Sequence, residues 1–377
     1  MSLSDRWANN LEGLRERGRY RTLVVSSGID FTSNDYLGYA GGRAFLFEKV
    51  TPASDVSFSG TASRLLRGHH PIWEKVEAEL ARWHGAETAL VMTSGYAANE
   101  GLLSTIVEPQ DWVASDEYNH ASIIDGLRLA KAQKYIFRHN DLDHLEDGLR
   151  EAIRSGSSTR ERFIVTESLF SMEGDSAPLR EISELAERYD ANLVVDEAHA
   201  TGCFGQNGSG LVDALGLRSK VLATVHTGGK ALAVSGAYVC GSSQLKALLV
   251  NKCRHFIFTT ALPPQVGVRW LETLPIVESD EEGRERLHSN ARTVRKLVDA
   301  FGLETIGDHY VVPIVVGEDR RAVGLSSRFQ QLGVDLRAIR PPTVPQGTAR
   351  LRISVHADHS LDDLERLVMP EIQRTIS

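Results

Sequence analysis

The chain has 377 residues, a formal net charge of −8, and 42% hydrophobic against 24% charged residues. That length allows about two domains with ordinary cores, and the acidic balance argues against nonspecific binding of nucleic acid or an anionic membrane. Three cysteines without a CxxC pair (Cys203, Cys240 and Cys253) argue against a disulfide framework and a structural zinc site.

The first ~45 residues read as an arm: a helix, then a short strand near "IDFTSNDYLGY". The N-terminus is polar and has no apolar signal core, and no run approaches the ~18 apolar residues that span a bilayer. A reduced, cytoplasmic compartment is the expectation. "PIWEKVEAELARWHG" places Trp73, Val76, Leu80 and Trp83 at helical spacing, with Gly85 as the stop. "TALVMTSG" reads as a short buried strand. In "DLDHLEDGLREAI" Leu142, Leu145, Leu149 and Ile153 form one helical stripe. "RFIVTES" is strand-like, "PLREISELAERYD" is a helix opened by proline, and "ANLVVDEAHA" and "KVLATVHTGG" are strands. The charge run "ESDEEGRER", residues 278–286, reads as a solvated helix face or loop. After residue 265 a long helical stretch runs to about Phe301. "YVVPIVVG", a helix around "AVGLSSRFQQLG", and "ARLRISV" then suggest a smaller α+β domain. The expected divisions are 1–45 for the arm, 46–265 for a large α/β domain, and 266–377 for a linking helix and C-terminal α+β domain.

Strands alternating with helices imply parallel βαβ units with both sheet faces covered. Ligands of such sheets bind at the carboxyl ends of the strands. The polar residues there are therefore the candidates, although each has an ordinary explanation when taken alone. Ser94, Gly95 and Tyr96 stand where a strand turns into a helix, a position whose backbone N–H groups suit an anion. His120 follows another strand end and could stack on a planar ring. Glu167, Ser171 and Asp175 lie in a polar loop after "RFIV", and Asp196 and His199 close "NLVVDEAHA". Lys230 sits in "TVHTGGKALAVSGAYV" among small and apolar residues, where an amine can become a nucleophile that adds to a carbonyl. An anion site, a stacking ring, a carboxylate, a histidine and a lysine are together the parts of a pyridoxal phosphate site. "GQNGSG", at 205–210, runs G-x-x-G-x-G and is not the dinucleotide fingerprint.

The motifs "FTSNDYLGYA", "SGTASRLLRG", "SGYAANEG", "NHASIIDG", "FSMEGDSAPL", "VDEAHATGCFG", "TGGKALAVSGA", "FIFTTALPP" and "RPPTVPQGTARLRIS" stand in one order along nearly the whole chain. In that order the chain resembles the α-oxoamine synthases, pyridoxal-phosphate enzymes of the fold-type I, aminotransferase-like class. The resemblance implies a large α/β domain with a mostly parallel sheet, a smaller C-terminal α+β domain and an N-terminal arm. Lys230 would carry the cofactor, Asp196 would pair with its ring nitrogen, and His199 would bond the ring oxygen, with Ser171 nearby. His120 would stack on the ring. Ser94, Gly95, Tyr96 and Thr227 would serve the phosphate, and Glu167 would join the cofactor pocket. Asn34 and Arg352 would hold the amino-acid carboxylate, while Arg17, Arg340 and Thr343 would serve the acyl substrate. The family's homodimer would let Thr259 and Thr260 reach the neighbour's phosphate. No metal is implied.

Within the family the C-terminal stretch looks most like the member that condenses L-alanine with a pimeloyl thioester. Glycine with acetyl-CoA is the open alternative, and a non-catalytic binding subunit on the same fold is a further one. Three positions depart from the common pattern: Glu173 stands where Asp is more usual, and Ala200 and Ala233 where glycine is expected.

Overall fold

The computed structural model describes residues 1–47, 56–154 and 160–368. In chain order its strands are β1 (Ile29–Asp30), β2 (Thr88–Met92), β3 (Trp112–Asp116), β4 (Gln133–Phe137), β5 (Arg162–Glu167), β6 (Asn192–Asp196), β7 (Ala223–Thr227), β8 (Ala237–Gly241), β9 (Val311–Gly317), β10 (Val334–Asp335), β11 (Ala338–Ile339) and β12 (Ala349–Ser354). The chain divides into two compact units. One comprises Met1–Tyr36, Ser171–Asp175 and Glu285–Ser377; the other comprises Leu37–Phe170 and Ser176–Arg284.

The larger unit is built on a seven-stranded sheet of order β2-β8-β7-β6-β5-β3-β4. β7, β6, β5, β3 and β4 run parallel, and β8 is antiparallel to both its neighbours. Because β2 opposes β8 and β8 opposes β7, β2 points the same way as the parallel strands. The carboxyl ends of six strands therefore share one rim. The sequence reading holds for the mostly parallel α/β class, but it passed over β8, whose "AYVCG" is too short and mixed to announce a strand.

Side-chain alternation sorts the sheet. Val225 of β7 and Val239 of β8 are register partners and belong to the apolar core with Leu90, Val113, Val165 and Val194. His226 and Tyr238, also partners, lie on the opposite face. The helix Pro71–His84 buries Trp73, Val76, Leu80 and Trp83, as their spacing requires. Pro71 occupies its first turn, the His70 side chain caps its start, and Gly85 ends it in the left-handed conformation with φ 58°. The helix Leu142–Arg154 buries Leu145 and Leu149, but Ile153 is 51% exposed, so the expected stripe ends one turn early.

The expected long helical stretch is two helices, Pro264–Ser279 and Glu281–Ala300, broken at Asp280. Here the solvated reading of residues 278–286 holds for the exposed Glu281, Glu282 and Glu285 but fails at Asp280 and Arg284. Asp280 accepts from Arg43 Nη1 at 2.6 Å and Nη2 at 2.7 Å, and from the Tyr39 hydroxyl at 2.6 Å. It also caps the second helix by accepting from Gly283 N at 3.0 Å. Arg284 is buried and donates to the Val277 carbonyl at 2.6 Å, satisfying an end group of the first helix. Charge composition alone could not announce a partner as distant in sequence as Arg43.

The smaller unit contains an antiparallel sheet of order β11-β12-β9 and a parallel pair β1-β10. Every residue of β12 is buried. Leu351 and Ile353 alternate with Arg350 and Arg352, and the two arginines are satisfied by the segment Ser171–Asp175. Arg350 pairs with the departing residue Glu173 at 3.0 Å.

Candidate active site

In the larger unit the rim gathers the side chains that the strand ends promised. Lys230 follows β7 in a tight turn: Gly228 N donates to the Gly236 carbonyl, Val234 N to that of Gly228, and Ala233 N to that of Lys230. Ala233 takes φ 51°, a left-handed conformation that glycine adopts freely and that costs alanine about 1 kcal/mol. That backbone explains why glycine is expected there. Lys230 is half-buried, and its Nζ lies 2.7 Å from Nε2 of the buried His199.

Asp196, the last residue of β6, is buried. Its Oδ1 accepts from Ala198 N at 2.8 Å and its Oδ2 from Asn99 Nδ2 at 2.6 Å. Its neighbour Glu197 is also buried, and burial pushes that carboxyl up to about 7 although the Leu211 and Val212 N–H groups donate to it. The "GQNGSG" loop serves this carboxyl: a Cβ at Gly210 would stand 2.1 Å from Glu197 Oε2.

Ser94 is the N-cap of the helix Gly95–Ile106, with its Oγ accepting from Ala97 N at 3.2 Å. This helix starts at the rim with free N–H groups and a positive dipole end. A Cβ on Gly95 would come 3.6 Å from Thr227 Cβ, so the helix start and the end of β7 adjoin. Thr227 is buried and its hydroxyl donates to the Gly236 carbonyl. Tyr96 donates its hydroxyl to Asp125, and its ring meets that of His120 edge-on at 6.1 Å.

His120 caps the helix Ala121–Ala130, and its backbone N–H donates to Glu167 Oε1 at 2.7 Å. Glu167 is the last residue of β5 rather than part of a loop, and it is buried. The His120 ring reaches the surface of the unit, yet desolvation by the protein around it lowers its pKa; Asp196 opposes that shift and Lys230 adds to it. Lys230, Asp196, His199, His120, Glu167, Gly95 and Thr227 thus belong to one rim. Thr259 and Thr260 line a pocket with Met92 and Thr93 at the carboxyl end of β2, and Thr260 is paired to Ser63 in an isolated antiparallel bridge.

The smaller unit holds the other candidates. Arg352 is buried and donates from Nε to the Ser171 carbonyl at 2.6 Å, from Nη1 to Ser354 Oγ at 2.8 Å, and from Nη2 to Asn34 Oδ1 at 2.9 Å and the Tyr36 hydroxyl at 3.2 Å. Asn34, Ser171 and Arg352 are therefore brought together. Arg340 donates to the Gly18 carbonyl, next to the exposed Arg17, and Thr343 N bonds the Arg340 carbonyl. Arg17 lines a hollow of about 510 Å³ with Arg19, Asp319 and Arg320.

Asn99 and Ser122 were missed by the sequence reading. Both sit inside motifs it quoted, on helix faces that are otherwise apolar and buried, and that contrast was the available signal.

The chain matches the aminotransferase class I and II family over residues 26–369. It is 40% identical over 386 residues to the 8-amino-7-oxononanoate synthase of Chlorobaculum parvum, covering 97% of this chain and 98% of that one. Among solved structures it resembles a serine palmitoyltransferase of S. paucimobilis, with TM-score 0.87 and 28% identity over 100% of this chain and 98% of that one. It also resembles the 8-amino-7-oxononanoate synthase of Francisella tularensis, with TM-score 0.76 and 28% identity over 93% and 98%.

Proposed function

The chain belongs to the aminotransferase class I and II family, and we propose that within it this member condenses L-alanine with a pimeloyl thioester, losing CO₂ and the thiol to give 8-amino-7-oxononanoate, a step of biotin biosynthesis. The observation that carries the chemistry is the pairing of Lys230 with His199 at 2.7 Å on the rim that also bears Asp196. The choice of substrates rests on the relatives that bear this activity's name.

The rim fits pyridoxal phosphate by its donor set. The Ser94-capped helix start and Thr227 suit the phosphate, the buried Asp196 carboxylate suits a protonated ring nitrogen, and Lys230 supplies the amine that carries the aldehyde. When bound, the cofactor supplies an electron sink for the electron pair left at the amino acid's Cα.

The protein's own groups do the rest. Lys230 Nζ takes the Cα proton as general base and later returns one, and His199, within hydrogen-bond reach, orients that amine. Asp196 accepts the ring N–H, held in place by the Ala198 N–H and the Asn99 amide. Asn34 and Arg352 hold the substrate carboxylate, Arg352 through its planar fork. Arg17, Arg340 and Thr343 serve the acyl thioester. Holding two substrates in attack geometry can lower the barrier by up to roughly 7–11 kcal/mol.

The working unit in this reading is a cytoplasmic homodimer in which Thr259 and Thr260 reach the neighbour's cofactor phosphate. Exposed apolar side chains, including Trp7, Leu23, Phe58, Leu66 and Phe258, support it, because a second copy would cover them. Among the described residues no helix is long and apolar enough to cross a membrane. Mass spectrometry of products from alanine plus pimeloyl-CoA, set against glycine plus acetyl-CoA, tests the assignment. 8-Amino-7-oxononanoate from the first pair is expected. Turnover of the glycine pair alone would replace it with the alternative.

A further inference from the structure

Among the described residues, the buried polar clusters of the larger unit include two built around histidines. In the first, His84 Nε2 stands 2.7 Å from the Tyr238 hydroxyl, and the two ring nitrogens of His226 stand 2.8 Å and 2.7 Å from the hydroxyls of Thr201 and Thr224. With Cys240 these histidines form a metal-like trio, but their ring centroids lie 3.9 Å apart with the planes tilted by 30°, and those nitrogens already have partners. The second cluster starts at Asp196 and reaches the rim.

Asn99 Nδ2 donates to Asp196 Oδ2 at 2.6 Å and to Ser122 Oγ at 3.0 Å. Ser122 Oγ lies 2.8 Å from His120 Nδ1, and the Ser122 backbone N–H donates to the same nitrogen at 3.3 Å. Asn99 and Ser122 are buried.

The directions of these bonds follow from one end. An ionised carboxylate only accepts, so Asn99 must turn its NH₂ toward Asp196. The second amide hydrogen occupies a lone pair of Ser122 Oγ, which leaves the Ser122 O–H to point at His120 Nδ1. The backbone N–H of Ser122 donates in every protonation state. His120 Nδ1 is therefore an acceptor twice over, and the ring's one proton belongs on Nε2.

We infer that Asn99 and Ser122 are positioning residues that link Asp196 to His120 and keep His120 neutral, in its Nε2–H form. The use of this arrangement rests on the proposed cofactor site. A ring protonated beside Asp196 is cationic, and an imidazolium stacked on it would repel it, whereas a neutral imidazole would not. The groups facing His120 are balanced: Asp196 favours its protonation, Lys230 opposes it, Glu167 binds its backbone N–H, and Tyr96 presents a ring edge. Desolvation favours the neutral form, and two donors into Nδ1 fix its proton on Nε2.

Neutron diffraction from deuterium-exchanged crystals of the full-length, cofactor-loaded protein near neutral pH reads the protons directly. Deuterium on His120 Nε2, with none on Nδ1 or on the Asp196 carboxylate, is expected. Deuterium on Nδ1 or on Asp196 Oδ2 overturns the inference.

A second measurement follows His120 by ¹⁵N solid-state NMR in histidine-labelled protein. Ser122→Ala should raise the His120 midpoint by about one pH unit, the worth of a lost hydrogen bond, and Ser122→Thr should restore it. An unchanged midpoint in Ser122→Ala would count against the relay, because loss of packing alone does not act on one ring nitrogen. The bonds lie within the protein, so the same tautomer is expected after cofactor removal. A failure of the cofactor reading would therefore appear separately, at Lys230.

Discussion

Lys230 Nζ lies 2.7 Å from His199 Nε2. An ammonium only donates, so with Lys230 charged Nε2 must be the acceptor, and the imidazole proton sits on Nδ1. This contact holds the amine over the rim. His199→Gln should lower kcat about 10²-fold, the size expected when the Lys230 amine loses the group that orients it, with the fold kept. Steady-state kinetics with saturating substrates, beside a circular dichroism melt, check it. An unchanged kcat would remove His199 from the mechanism.

Arg352 places four of its five N–H groups in a fixed fork on Ser171, Ser354, Asn34 and Tyr36. Lysine has a point charge and no fork. Arg352→Lys should raise KM for L-alanine about tenfold, equivalent to about 1.4 kcal/mol, while kcat falls less. A KM equal to that of the unaltered protein would refute the carboxylate-binding role.

The Arg43–Asp280 pair is buried on both sides, with side-chain exposures of 8% and 9%. Burial alone would raise the Asp280 pKa, but the Arg43 and Tyr39 hydrogen bonds outweigh it and hold it below the usual carboxylate value. A depressed folded-state pKa stabilises above the unfolded value, near 3.9, and that stability is lost as pH falls through the folded value. Asp280→Asn should cost about 3–5 kcal/mol at neutral pH, because it removes the charge paired with the Arg43 guanidinium. Its urea unfolding should also lose less stability between about pH 4 and pH 2 than the unaltered protein. Parallel pH curves for the two proteins would show that the pair contributes nothing.

The sequence showed most where one element decides its own character. Trp73, Val76, Leu80 and Trp83 make a stripe, and Gly85 ends it. Lys230, Asp196 and His120 stand at strand ends, where chain alternation alone predicts ligand contact. What stayed hidden depends on partners far along the chain. β8 is a strand because β2 and β7 flank it. Asp280 is buried because Arg43 meets it, and Ser171–Asp175 is fixed by Arg350 and Arg352 on β12. Asn99 and Ser122 looked like ordinary helix residues until the fold placed them between Asp196 and His120.

The proposed chemistry depends on one half-buried amine, that of Lys230, binding the aldehyde of the cofactor. Borohydride reduction of the loaded protein, followed by peptide mass spectrometry, tests this directly. The pyridoxyl label should appear on the peptide that contains Lys230, and Lys230→Ala should abolish it. A label on another lysine, or none on wild-type protein that has taken up cofactor, would contradict the account.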